Sequence, residues 1–168
     1  MGFSPSQPTN ASWCPPGERK RVPYENPQGR RLNVLAGLVA DGPLPALTWW
    51  PHARSITADD LLTFLREAFP DHPRPLVVVL DNASTHTSRA VKGADLAAEG
   101  IVLEHLPAYS PELNRIEPLF GAIKRHDLPE RSYTTMADLD AAVRAAFQRA
   151  EQRLLARDAT SQQLRPAA

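Results

Sequence analysis

The run Leu76-Val77-Val78-Val79-Leu80, followed at once by Asp81, constrains this chain more than any other stretch. An unbroken aliphatic run with a β-branched centre suits a strand buried on both faces, the habit of parallel sheets. Parallel neighbours need a crossover connection, usually a helix. The next residues offer one: Ser88 to Glu99 reads as a short helix closed by Gly100, and Ile101 to Leu106 as the following strand. A right-handed crossover is the natural arrangement. Proline, at 17 of 168 residues, argues against an all-helical bundle.

The rest of the chain fits an α/β layout. Residues 1–31 hold six prolines and few apolar residues, and read as mostly irregular. Leu32, Val34, Leu35, Leu38 and Val39 lead into Asp41-Gly42, a hairpin turn signal, with Ala46 to Trp50 as the return strand and Pro51 as its stop. Thr57 to Phe69 is helical: Leu61, Phe64, Leu65 and Ala68 share one face, Thr57 is an N-cap, and Asp59 and Asp60 suit the positive end of the dipole. Ser110 with Pro111 opens another helix, with Leu113, Ile116, Phe120 and Ile123 as its apolar stripe. A last helix starts near Thr135 and carries Leu139, Val143, Phe147 and Leu154. Residues 1–157 form one domain, and 158–168 read as a disordered tail. The order of elements predicts an α/β fold with a mixed sheet flanked by helices.

Composition narrows the function. The longest aliphatic run is far shorter than the roughly 18–20 residues of a membrane span, and no basic-then-apolar leader opens the chain. Cys14 is the single cysteine, which excludes an internal disulfide and a multi-cysteine zinc site. The expectation is a cytoplasmic location without membrane association. Net charge is zero, which speaks against autonomous nucleic-acid binding, although arginine outnumbers lysine 16 to 3. The segment from Arg19, Lys20 and Arg21 to Arg30 and Arg31 is basic; it reads as a solvated loop or as a contact to DNA phosphates.

Two carboxylates stand out by position. Asp81 ends the most hydrophobic strand, and ligands in open α/β sheets sit beyond the carboxyl ends of strands. It is placed either for a metal or substrate, or for a local strand-end turn with Asn82. Glu117 lies at the edge of the helical apolar stripe and can face the same sheet end, or be a solvated helix residue.

The connecting segment decides between these readings. His105-Leu106-Pro107-Ala108-Tyr109-Ser110-Pro111-Glu112-Leu113-Asn114-Arg115-Ile116-Glu117 resembles the signature of the DDE transposases of bacterial insertion sequences, the branch related to the mariner elements. Asp81-Asn82-Ala83-Ser84-Thr85-His86 resembles the same family's second-aspartate motif, and 35 residues separate Asp81 from Glu117, near the family spacing. Trp13-Cys14-Pro15-Pro16-Gly17-Glu18 and Arg31-Leu32-Asn33-Val34 resemble its earlier segments. The resemblance covers roughly residues 2–150. It implies an RNase H-like fold and a triad of carboxylates holding two magnesium ions, with Asp81 as second and Glu117 as third member. Asn82, His86 and Asn114 match motif positions; the resemblance implies supporting roles, orienting the acids or touching DNA, while His86 can equally be a hydrogen-bonded structural residue. The implied chemistry is DNA strand cleavage and strand transfer on transposon ends and target, by a homodimer.

One departure matters. The family's first aspartate lies on an opening strand, usually as Asp-Glu before a Gly-Phe-Ser type segment. Here Gly2-Phe3-Ser4 resembles that segment, and only Met1 precedes it. The expectation is therefore a fold whose first strand is missing, with weak two-metal occupancy and an unpaired strand edge. Asp41, Asp59, Asp60 and Glu112 offer no substitute. Two readings remain: a transposase catalytic domain, or a truncated non-catalytic remnant of one. An unrelated phosphatase or nuclease using Asp81 alone leaves the long motif unexplained.

Overall fold

The structure, a computed structural model, describes residues 1–6, 15–19, 21, 31–39 and 46–163, with side chains as far as Ala156. The turn at Asp41-Gly42, Cys14 and most of the basic segment fall outside these residues. Among the described residues, five strands and four helices follow in the order β1 (Gly2–Phe3), β2 (Leu32–Val39), β3 (Ala46–His52), α1 (Ala58–Glu67), β4 (Leu76–Leu80), α2 (Arg89–Gly93), β5 (Ile101–His105), α3 (Ile116–Ala122) and α4 (Met136–Gln163). A single 3-10 turn at Pro111–Leu113 precedes α3, and a π-helical turn at Ile123–Asp127 succeeds it.

The strands form two sheets. One is antiparallel in the order β1-β2-β3; the other is the parallel pair β4-β5. The opening strand is thus not wholly absent: Gly2 and Phe3 pair with Asn33 and Leu32, and Met1 and Val34 exchange two hydrogen bonds of 2.7 and 2.8 Å. Beyond Val34, however, that side of β2 has no strand beside it among the described residues. The sequence predicts that Pro51 stops β3, but Pro51 lies within it, opposite Val34. Val34 turns its backbone groups to Met1, so its partner on β3 is a non-hydrogen-bonded one. A residue without an N–H is tolerated there.

Helix α1 forms as its periodicity predicts. Leu61, Phe64 and Leu65 are buried, and the Thr57 hydroxyl accepts from the Asp60 N–H while the Asp60 carboxylate accepts from the Thr57 N–H. Its apolar face packs on Leu35, Val78 and Leu103 on one side and on Val39, Trp50 and Leu76 on the other, so α1 bridges the two sheets. Gly37 allows this close fit, because a Cβ there would stand 2.6 Å from the Phe69 ring. The opposite face of β1-β2-β3 is covered by α4 through Leu139, Val143 and Phe147, all fully buried with Phe3, Val34 and Ile123. Helix α4 reaches Gln163, past the boundary expected at residue 157, and 164–168 lie outside the described residues.

One buried charge has no forerunner in the sequence pattern. Asp127 is almost completely buried and takes a forked ion pair from Arg153, with a backbone bond from Arg149. This ties α4 to the turn after α3. Among the described residues no helix is long and apolar enough to cross a membrane.

Candidate active site

Asp81 is the first residue beyond β4. Its Oδ1 accepts the Ala83 N–H at 3.0 Å, the strand-end turn that the sequence allows, and also lies 2.7 Å from Nδ1 of His86. The same imidazole nitrogen is 3.2 Å from the Asp81 carbonyl oxygen, so His86 grips both ends of the residue. Holding a carboxylate through a turn amide and an imidazole fixes its rotamer; about half of the Asp81 side chain still meets solvent. Asn82 points elsewhere: its Nδ2 donates to the Leu106 carbonyl at 2.8 Å, while the Leu106 N–H donates to Leu80 at 2.8 Å. Together these bonds clamp the carboxyl ends of β4 and β5.

Glu117 approaches from the other wall. The sequence predicts one continuous helix opening at Ser110-Pro111, with Glu117 a turn inside it. Instead Pro111–Leu113 is a lone 3-10 turn, the Ser110 hydroxyl bonds the Ala108 carbonyl rather than capping, and α3 begins at Ile116. Leu113 is consequently exposed and off the apolar stripe. Glu117 sits in the first turn of α3, where the helix dipole favours a carboxylate, and its N–H donates to the Asn114 carbonyl at 3.0 Å.

The two motifs meet in one cleft. Asp81, His86, Asn114 and Glu117 line a cavity of about 910 Å³ that runs between β2 and β4. Asp81, Asn82, Asn114 and Glu117 also line a smaller one of about 300 Å³ floored by the Leu106 to Pro111 loop. The amine of Met1 stands in the same place: burial and Lys124 push its pKa down, while the negative charges of Glu117 and Asp81 oppose them. All five residues singled out in the sequence therefore reach this region.

Asp81 and Glu117 supply hard oxygen donors, which magnesium takes while keeping several waters. Among the described residues, no three His, Cys, Asp or Glu side chains converge on a metal-holding position. A two-ion centre would need a further carboxylate besides these two. Asp60 is engaged by Arg54 at the start of α1, and Glu112 is exposed in the turn.

Sequence reasoning gives Tyr109 no role. In the fold it adopts φ 59°, in the left-handed region, and its ring is fully exposed at the rim of the smaller cavity. The available signal is an aromatic residue between small and turn-forming neighbours, which periodicity ignores.

A family model described as DDE superfamily endonuclease matches residues 1–140. The chain belongs to the DDE superfamily endonucleases. Among solved structures, it is similar to the Mos1 transposase in its paired-end complex with the left transposon end, with a TM-score of 0.57 and 18% identity. That match covers 94% of this chain and 51% of the transposase chain, so this endonuclease-family chain spans about half the length of its structural relative. The likeness identifies the fold as RNase H-like, as the motifs implied. No curated protein matches the chain.

Proposed function

We propose that this chain is the catalytic portion of a DNA transposase, cutting phosphodiester bonds at transposon ends and joining them to target DNA. The observation that carries the reading is the convergence of Asp81, from the end of β4, and Glu117, from the start of α3, on one cleft. Paired carboxylates reached from a strand end and a helix start are the donor set of phosphoryl transfer with divalent ions. Asp81 and Glu117 would hold magnesium, which when bound stabilises the charge on the attacking and leaving oxygens of an in-line displacement. The chain's own residues do the positioning. His86 and the Ala83 amide orient Asp81; Asn114 sets the turn from which Glu117 projects; Asn82 holds the two strand ends together. Lys124, on the cleft wall, is placed to meet a phosphate. The exposed ring of Tyr109 offers a stacking surface for an unpaired base at the cut site.

Completion of a two-ion centre would require a third carboxylate. The reading also includes action as a homodimer on two DNA ends.

The test has two parts. Manganese binding, read by paramagnetic relaxation, is expected to weaken at least tenfold in Asp81→Asn and in Glu117→Gln. Nicking of a transposon-end duplex is expected only when the third carboxylate is present, and to vanish in either substitution. Manganese affinity unchanged by both substitutions sinks the assignment of the site. Binding without nicking under every condition leaves the non-catalytic remnant as the correct reading.

A further inference from the structure

Helix α3 carries Glu117 in its first turn, yet none of its residues is buried; Leu119 and Phe120 only partly enter the core around Val34 and Phe147. Packing of its own face therefore holds its rotation, and with it the direction of Glu117, only loosely. The firm anchor lies further on. Helix α3 runs without a break into the π-helical turn Ile123–Asp127, where the Leu128 N–H donates to the Ile123 carbonyl, five residues back, at 3.0 Å. The wider turn sets Ile123 and Leu128, which α-helical spacing would hold about 140° apart, in one core, with Asp127 buried beside them. Lys124, next after Ile123, stays on the cleft wall with Glu117, its amine 5.6 Å from the centre of the Phe3 ring.

Asp127 is held to α4 at two points. Its carboxylate takes both nitrogens of the Arg153 fork, and its backbone carbonyl accepts from Nη2 of Arg149, one turn earlier on the same face of α4. The second bond satisfies a carbonyl at the end of the turn, where a cation also suits the helix dipole. A planar fork on a carboxylate is directional, and a hold on side chain and backbone together resists turning of the helix about its axis. As a source of stability this is a poor choice: a buried carboxylate has to be stripped of water, and apolar residues of similar volume often serve as well. The chemistry assigned to the cleft uses neither Asp127 nor its two arginines.

We propose that Asp127 and Arg153, with Arg149, form a latch that sets the rotation of α3 and so aims Glu117 into the cleft. They are positioning residues, acting through a continuous helical rod on a carboxylate about 15 Å away along its axis. The inference rests on the reading of Glu117 as a metal-holding residue. The Asn114 turn fixes the near end of the rod, and the latch fixes the far end. A working site has to be held within about 0.5 Å and 10–20° of its productive geometry, a tolerance that directional bonds meet and slack apolar contacts do not.

The experiment compares the full chain with Arg153→Lys, which keeps the charge but loses the fork, and with the double replacement Asp127→Leu with Arg153→Met, which leaves no buried charge unpaired. Each is made alone and combined with Glu117→Gln. Manganese affinity is read by paramagnetic relaxation, and folding by melting temperature. The double replacement is expected to melt within a few degrees of the parent yet to bind manganese at least about fivefold more weakly, with Arg153→Lys showing a smaller loss in the same direction. In the Glu117→Gln background neither should weaken binding further, since the latch acts through that carboxylate. A merely structural role would lower the melting temperature and leave the affinity of the folded protein unchanged. Affinity equal to the parent's in both folded variants, while Glu117→Gln lowers it, overturns the latch and spares the reading of the site. A loss as large in the Glu117→Gln background as in the parent overturns it too. Glu117→Gln without effect on manganese removes the reading of the site, and the latch with it. Where the double replacement fails to fold, Arg153→Lys and its combination with Glu117→Gln decide alone.

Discussion

At the scale of single residues, Tyr109 is the place where stability and function pull apart. A non-glycine residue in the left-handed region costs on the order of 1 kcal/mol, and no buried contact of its exposed ring offsets this. A strained backbone at the rim of a cleft marks a position held for something other than packing. Tyr109→Gly relieves the strain but widens the unfolded ensemble, so stability should stay level or rise by up to about 1 kcal/mol. Affinity for single-stranded DNA should fall by roughly tenfold, since stacking of one base on an aromatic ring is worth about 1–3 kcal/mol. Tyr109→Phe should retain the affinity. Fluorescence anisotropy with a short oligonucleotide reads the outcome, and equal affinities for the glycine and phenylalanine variants would remove Tyr109 from the DNA path.

At the scale of elements, the start of α1 shows how local sequence becomes a pH-dependent device. Arg54 forks onto Asp60 at 2.6 and 2.7 Å, and the Thr57 N–H and hydroxyl both donate to the same carboxylate at 2.8 Å. The guanidinium first, then the Thr57 amide, holds the Asp60 carboxyl well below the usual carboxylate range. A folded-state pKa below the unfolded one gives stability that is present above about pH 4 and is lost as pH falls further. Asp60→Asn should therefore melt lower at neutral pH yet show a flatter decline below about pH 4, and added salt should shrink the difference because Arg54 is exposed. Parallel acid limbs in the two proteins would refute this. The cap was legible because a threonine three residues before an acid is a local signal. Helices α1 and α4 were legible from apolar spacing, and Asp81 from its place at the end of a continuous aliphatic run. Pro51 and Asp127 were not. Whether proline breaks a strand depends on which partner its N–H would have met, and that is set by register. The tie of Asp127 to Arg153 spans residues 26 apart, beyond the reach of any periodicity. The late start of α3 was also hidden, since Ser110-Pro111 signals equally a helix cap and a 3-10 turn.

At the scale of the whole molecule, the divided sheet implies divided cooperativity. One core gathers β1, β2, β3 and α4 around Phe3, Val34, Leu139, Val143 and Phe147; another gathers β4, β5, α1 and α2 around Leu61, Leu65, Val91, Leu96 and Ile101. Helix α1, with Phe69 just beyond it, welds them: Leu35 of β2 packs against both the cluster of Leu61 and Leu65 and that of Phe64 and Phe69, which Trp50 also meets. Elements with fewer buried partners open at lower free energy than the global unfolding reaction. The amides of Val78 and Glu104, though within the β4-β5 ladder, should exchange through a partial opening that leaves Val143 and Phe147 protected. Leu96→Ala, a buried truncation in the second core, should cost about 2–5 kcal/mol in the opening of β4 and β5 while leaving exchange in α4 nearly unchanged. Phe147→Ala should cost about 3–5 kcal/mol and speed exchange in both units if the first core supports the second, because α1 then loses the sheet it rests on. Native-state hydrogen exchange across a denaturant series distinguishes the cases. A single opening free energy shared by β4, β5 and α4 would show instead that the packing around α1 makes the molecule one cooperative unit.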